Sequence, residues 1–311
     1  MCFTVNFWPL LIAGLANGFL YALIALGYTL VYGILHLINF AHSEVFMSGG
    51  FAGYFILNAV VPAGSSSVPH GAESVGLLAV AIIGGGIAGA IVAFLLERVA
   101  YRPLRRRNAP RLAFLISAIG ASYFLYNLAG KEFGRFPISM PTVFTNGTVF
   151  SVFNAQVQTY YILIGVAALV MLVFLDRVVA MTRLGRAIRA VAQDADTASL
   201  MGVNIDSTIS KTFILGGLLA GAAGCLFGLG YGVVYTMGFT PALKAFTAAV
   251  LGGIGNVRGA VLGGLLLGVV ESLGIACIET SWRDVISFGI LVFVLLVRPT
   301  GLLGERLGRS A

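Results

Sequence analysis

The stretch Gly14-Leu15-Ala16-Asn17-Gly18-Phe19-Leu20-Tyr21-Ala22-Leu23-Ile24-Ala25-Leu26-Gly27-Tyr28-Thr29-Leu30-Val31-Tyr32 decides the fold, because it is uncharged and because it recurs. A helix of this length rises about 28 Å, close to the thickness of a bilayer's hydrocarbon core. Shifted by 203 positions, Gly14, Leu15, Gly18, Leu23, Leu26, Gly27, Tyr28, Val31 and Tyr32 fall on Gly217, Leu218, Gly221, Leu226, Leu229, Gly230, Tyr231, Val234 and Tyr235. A composition this biased would give about two such identities by chance. Gly49-Gly50 falls on Gly252-Gly253 at the same offset.

The rest of the chain has the same character. Of its 311 residues 59% are hydrophobic and 10% charged, with a mean hydropathy of +0.97. Soluble domains carry about 45–50% apolar and 25% charged residues, so the chain reads as embedded in a bilayer. Disorder, a disulfide scaffold and a nucleic-acid-binding domain are excluded on the same ground. Gly is frequent, at 41 residues, as expected where membrane helices pack closely. Cys2, Cys225 and Cys277 are too far apart in sequence to suggest a metal site or a redox pair and read as small apolar fillers. Met1 to Pro9 carry no Lys or Arg, so the first apolar stretch reads as a retained span, not a signal peptide.

Apolar segments of spanning length fall near 10–35, 44–62, 76–97, 112–130, 158–176 and 211–236. Two short ones follow near 242–257 and 258–274, joined through Gly252, Gly253 and Gly255 and readable as a re-entrant hairpin, then a last one near 284–298. Basic residues cluster between the third and fourth spans (Arg98 to Arg111), between the fifth and sixth (Arg177 to Lys211) and after the last (Arg298, Arg306, Arg309). The positive-inside rule then places the N-terminus outside and the C-terminus inside. The expected fold is an all-α, polytopic bundle of about eight or nine transmembrane helices with an inverted internal repeat, an architecture typical of transporters. It is read as one transmembrane domain, 1–311, with halves of about 10–130 and 211–298, a linking span at 158–176 and a cytoplasmic segment at 177–210. External loops are expected at 63–75 and 131–157. Gly14, Gly18, Gly27, Gly252, Gly253 and Gly255 are the candidate helix-packing positions.

No catalytic or metal-binding constellation stands out. His36, His42 and His70 form no HExxH, and no GxSxG, paired carboxylate or P-loop occurs, so if transport here is driven by ATP another subunit must supply the nucleotide site. The first acidic residue is Glu44, within Leu37-Ile38-Asn39-Phe40-Ala41-His42-Ser43-Glu44. Ionisable groups in a bilayer are costly, so Asn39, His42 and Glu44, with the repeat-related Tyr28 and Tyr231, are candidates to line or gate a path. An equally weighted reading makes Asn39 or Ser43 a helix cap, with Glu44 at the positive end of the second span. Glu271, Glu279 and Asp284 read as solvated or paired. The cytoplasmic stretch Thr182 to Val203 reads as a short helix with an Ala-rich face and a Gly stop, a surface for a partner or for anionic lipid. A stand-alone secondary carrier agrees with the repeat but not with the scarcity of carboxylates within the spans.

These residues resemble the permease subunits of branched-chain amino acid ABC importers. The likeness runs through Gly14-Leu15-Ala16-Asn17-Gly18, Ala25-Leu26-Gly27-Tyr28, Ile38-Asn39-Phe40-Ala41-His42-Ser43-Glu44, Asp196-Thr197-Ala198-Ser199-Leu200-Met201-Gly202-Val203, Gly252-Gly253-Ile254-Gly255 and Arg298-Pro299-Thr300-Gly301-Leu302-Leu303-Gly304. Ser43 departs from the family, which usually has Gly there. The resemblance implies an ATP-driven importer in a bacterial inner membrane, without an enzymatic site or cofactor of its own. Its implied partners are two cytoplasmic ATPases, a second related permease and a periplasmic solute-binding protein. The segment with Arg186, Arg189, Asp194, Asp196, Ala198, Gly202 and Val203 would dock the ATPase. Urea or short amides are the alternative cargo.

Overall fold

The computed structural model describes residues 2–35, 37–61, 72–144, 147–152, 155–276, 279–298 and 300–304. His36, His70, Cys277, Arg306, Arg309 and most of the predicted loop at 63–75 lie outside these residues, as does the side chain of Cys2. The fold is helical: α1 Cys2–Leu35, α2 His42–Val60, α3 Ala72–Leu96, α4 Arg102–Arg106, α5 Arg111–Glu132, α6 Thr159–Met181, α7 Arg183–Gln193, α8 Ala195–Leu200, α9 Ile205–Tyr231, α10 Phe239–Gly252, α11 Val257–Gly274 and α12 Arg283–Val297. Every apolar segment read from the sequence contains a helix, though α9 ends at Tyr231 where the segment was expected to run to 236. Among the described residues, seven helical stretches are long and apolar enough to cross a membrane: Phe7–Leu35, Glu73–Arg106, Arg111–Glu132, Thr159–Met181, Ile205–Tyr231, Val257–Gly274 and Thr280–Val297. The two left over have physical reasons. Helix α10 has 14 residues, about 21 Å of rise, short of the core thickness. Helix α2 carries His42, Ser43, Glu44, Ser48 and Asn58.

One feature of the 131–157 segment was not legible in the sequence. It holds an antiparallel hairpin, β1 Thr148–Val152 and β2 Ala155–Gln158, with Val152 opposite Ala155. A further bridge pairs Ile138 with Val233, each N–H donating to the other's carbonyl at 2.8 Å, where Gly232 at φ +77° ends α9.

A turn of π-helix, Glu97–Tyr101, follows α3, and the Arg102 N–H donates to the Glu97 carbonyl. Pro103 lacks the N–H that would continue the regular ladder, and the wider turn accommodates that loss. Its effect is to bury both Glu97 and Tyr101.

The chain divides into two compact units. The first comprises Met1–Thr29, Asn146–Val170 and Ala242–Ala311; the second comprises Leu30–Thr145 and Met171–Pro241. Each contains a crossing of two helices so close that glycine is required. In the first unit α1 meets α11: a methyl on Gly14 would lie 2.9 Å from the Gly268 carbonyl oxygen and 3.0 Å from Ser272 Cβ, and one on Gly264 would lie 2.6 Å from Ala22 Cα. In the second α9 meets α3: a methyl on Gly217 would lie 2.6 Å from the Gly89 carbonyl oxygen and 2.5 Å from Ala93 Cβ, and one on Gly85 would lie 3.0 Å from Cys225 Cβ. Gly14, Gly18 and Ala22 correspond to Gly217, Gly221 and Cys225 at the offset of 203, and Gly85, Gly89 and Ala93 precede Gly264, Gly268 and Ser272 by 179. The leading helix of each predicted half therefore packs on a helix from the other half.

Beside the first crossing sits a buried ionic network. Lys244 Nζ lies 2.9 Å from Glu271 and 2.8 Å from Asp284, while the Tyr21 hydroxyl at 3.3 Å and the Ser287 hydroxyl at 3.0 Å donate to Glu271. Arg283 adds a second cation 3.2 Å from Glu271. An isolated charge would be costly there, and each acid and each cation has its counterpart. Of the two expectations for Glu271, solvated or paired, the structure shows the paired one, and Lys244 is buried with it.

Candidate functional site

The polar turn between α1 and α2 is not built as a helix cap. Ala41 occupies the N-cap position without a side-chain bond, and Ser43 Oγ donates back to the Phe40 carbonyl at 2.9 Å. Asn39 Oδ1 accepts from the Ala41 N–H at 3.1 Å and from the Tyr101 hydroxyl at 2.7 Å. Tyr101 packs on Phe213 of α9, so the π turn, the polar turn and α9 are joined by one buried phenol. Nothing local marks Tyr101, because an interfacial tyrosine among arginines reads as a membrane anchor.

Glu44 is 5% exposed and accepts from Ser122 Oγ at 2.6 Å. Ser122 sits at the midpoint of α5, so the carboxylate is level with the middle of a spanning helix, deeper than the cytoplasmic end to which the charge rule assigns it. Ser117 and Ser122, two hydroxyls in an otherwise apolar span, were the available sign. His42 is equally buried, one turn from Asn39. Next to Glu44 a concavity of about 360 Å³ opens between α2 and α5, walled by Met47, Phe51, Phe55, Leu125 and Leu128. Phe133 stacks on Phe51 with ring centres 4.6 Å apart. The arrangement is an apolar wall that carries the hydrogen-bonded Glu44 carboxylate, with Glu132 also on its lining, suited to an amphiphile with an apolar side chain and a cation.

Of the two tyrosines, Tyr28 is buried edge-on to Phe246 in the first unit. Tyr231 is 53% exposed and stacks on Phe227, which in turn meets Phe46 in the second unit. The structure therefore gathers Asn39, His42, Glu44 and Tyr231 in one unit and leaves Tyr28 in the other. Among the packing candidates, Gly14 and Gly18 lie on the crossing and Gly27 is buried. Gly252 packs against the Gly259 carbonyl, and Gly253 turns at φ +105° beneath the backbone of Gly304. Gly255 instead forms an open turn at φ +97° with no neighbour.

The 177–210 segment forms two helices where one is expected. Asp194 at φ −156° ends α7 and caps α8, accepting from the N–H groups of Asp196 at 2.9 Å and Thr197 at 3.2 Å and from Thr197 Oγ1 at 2.6 Å. These bonds, the Thr197 hydroxyl foremost, hold its carboxyl below the usual range. Asp194 thus serves the backbone of α8, with its carboxylate exposed. Arg189 donates to the Val179 carbonyl, whereas Arg186 and Asp196 are exposed. Ala198 is buried, and the N–H of Val203 returns to its carbonyl at 3.0 Å, closing the helix around Gly202 at φ +84°. Leu200 and Met201 are 86% and 82% exposed at the tip of this rigid turn. The sequence reading missed this pair, although two large apolar residues before a helix-stopping Gly in a polar segment were its sign. Asn204 then caps α9, accepting from the Ser207 N–H at 2.9 Å.

Residues 10–295 match the family model described as "Branched-chain amino acid transport system / permease component". The chain is 43% identical over 296 residues to the high-affinity branched-chain amino acid transport system permease protein LivH of Salmonella typhimurium, covering 94% of each chain. It is also 43% identical over 301 residues to LivH of Escherichia coli K12, with 94% of each covered. The permease protein BraD of Pseudomonas aeruginosa is 44% identical over 299 residues, with 95% of each chain covered. No solved structure matches the chain.

Proposed function

The chain belongs to the family of branched-chain amino acid transport permeases, and on that premise we propose that it is the transmembrane permease subunit of an ATP-driven importer of branched-chain amino acids in a bacterial inner membrane. Its N-terminus is periplasmic and its C-terminus cytoplasmic. It works with two cytoplasmic ATPases, which bind the ATP, with a second related permease and with a periplasmic solute-binding protein.

The observation that carries this reading is the exposed Leu200–Met201 tip on a capped, rigid α8. An apolar tip on a short stiff turn fits a pocket in a partner. From that tip the second unit provides an unbroken mechanical line. Asn204 joins α8 to α9, Gly221 and Gly224 of α9 touch Gly49 and the Phe46 carbonyl of α2, and Glu44 lies in α2's first turn. Movement of the docked ATPases would swing α9 as a rigid rod and shift the Glu44 turn against α5. A branched aliphatic side chain would pass along Met47, Phe51 and Leu125 while its ammonium group meets Glu44.

Purification in mild detergent should bring down two P-loop ATPases and a second permease, and the reconstituted complex should take up leucine only with ATP and binding protein. Urea competing for uptake as well as leucine would move the cargo assignment to short amides. Uptake by this chain alone without ATP would overturn the importer reading.

A further inference from the structure

Outside the path and the coupling turn, the second unit carries a cationic concavity of about 560 Å³, where the end of α3 and the Arg102–Arg106 turn face the start of α9. Arg98, Arg102, Arg106 and Lys211 line it, with the Ser207 hydroxyl among them and Phe94 and Ile214 on its apolar side. Its charges are not balanced. Asp206 is held by Arg102 at 3.0 Å and Arg105 at 2.6 Å, with Arg106 at 3.5 Å, and Glu97 is held by Arg105 at 3.0 Å and Ser210 at 2.7 Å. Arg98 and Lys211 are exposed and have no carboxylate partner among the described residues. The same face of α3 continues into Ile91 and Leu95, exposed at 54% and 51%.

We propose that this concavity is a binding site for an anionic phospholipid, its phosphate held by Arg98, Lys211 and Arg106 and one acyl chain lying along Phe94, Leu95 and Ile91. Basic pockets between spanning helices at the cytoplasmic surface recognise such head groups, and each Lys or Arg there adds about 1 kcal/mol. A bare anion would satisfy the cations but leave the adjoining apolar face uncovered, whereas a phospholipid covers both. The bound lipid ties α3 and α4 to the first turn of α9, the helix that follows the coupling turn. The site rests on the proposed cytoplasmic placement of this end of α3 and is independent of which solute is carried.

The test is native mass spectrometry of the purified full-length permease with added dioleoyl phosphatidylglycerol, phosphatidylcholine or inorganic phosphate. Phosphatidylglycerol should bind in preference to phosphatidylcholine, and phosphate at millimolar concentration should not displace it. In Arg98→Gln/Lys211→Gln the affinity should fall about thirtyfold, two cations' worth, while Arg135→Gln leaves it unchanged. Both replaced side chains are exposed and unpaired, so the variant should insert and fold. Equal retention of phosphatidylcholine, full competition by phosphate, or undiminished phosphatidylglycerol binding in the double variant would each overturn the proposal. So would loss of the lipid adduct when the ATPases are bound, since the cations would then belong to a protein interface.

Discussion

The α1–α11 crossing and the α3–α9 crossing use the same glycine spacing to bring two backbones together, yet their surroundings differ. Beside the first, Lys244, Glu271, Asp284 and Arg283 form a network whose core is buried. Beside the second the ions lie at one end of the helices, with Arg102 and Asp206 partly open to water, and a polar turn reaches the middle of α5. Only the second has the α7–α8 segment attached to its leading helix. The common feature is steric: close helix approach in lipid depends on small residues, whatever chemistry lies around them. What differs is where charge is stored, and under the proposed coupling the first unit would be the anchor and the second the moving part.

The largest expected effect comes from filling a crossing. Gly221→Leu must displace the Gly89 backbone, 2.9 Å from a methyl at that position, and should cost about 3 kcal/mol and prevent recovery of folded protein. The milder pair is more informative. Gly221→Ala should lower the thermal unfolding midpoint in detergent more than Gly18→Ala, whose methyl would meet Leu265 Cα at 2.9 Å and the Gly264 carbonyl at 3.0 Å, tight contacts but with no backbone atom as near as Gly85 is to Gly221. Equal losses would mean that the two crossings are energetically the same.

The ionic networks give the next contrast. Lys244→Met leaves Glu271 short of one buried cation and should cost about 3 kcal/mol, and Lys244→Met/Glu271→Gln should recover part of it. Arg102→Met at the half-open rim should cost about 1 kcal/mol. Chemical unfolding in mixed micelles separates the two, and a rim loss as large as the buried one would remove the anchor assignment.

Function should divide the same way. Glu44→Gln keeps an acceptor for Ser122 but removes the charge, and should reduce ATP-driven leucine uptake about tenfold with little change in stability. Asp284→Asn, at a side chain 55% exposed in the first unit, should leave uptake near normal. Unchanged uptake in Glu44→Gln with a lowered unfolding midpoint would make the turn structural.

The smallest effect is the pH response of α8. The Asp194 carboxyl is held below its ordinary value in the folded chain, so its capping contribution is complete above the unfolded carboxylate range and is lost as pH falls through the folded value. Hydrogen exchange of the Asp196 and Thr197 amides should therefore quicken on acidification, and Asp194→Asn should remove that dependence.

Much of this was legible in the sequence, for reasons that set the limit too. Apolar runs located the spanning helices, because a bilayer requires continuous backbone bonding, but not their ends: α1 begins at Cys2 and α9 at Ile205, where the apolar runs begin near 10 and 211. The offset linking Gly14 and Gly18 to Gly217 and Gly221 pointed to the crossings, but their partners did not show, because α3 and α11 are related by a different offset and share too few identities. Buried polar pairs such as Glu44–Ser122 and Tyr101–Asn39 are separated by 78 and 62 positions and depend on packing angles that no local pattern encodes. The split of the 177–210 segment turned on Asp194, whose capping role competes with its charge in any reading by residue type.

The most direct test is ATP-driven leucine uptake by the reconstituted complex carrying Leu200→Asp/Met201→Asp, read beside the amount of inserted permease and the ATPase bound to it. Both side chains are exposed, so folding and insertion should be unchanged. ATPase binding should be lost and uptake should fall to background. Normal uptake with the ATPase still bound would contradict the proposed coupling, because the tip of α8 would then not be the point at which ATP hydrolysis reaches the membrane.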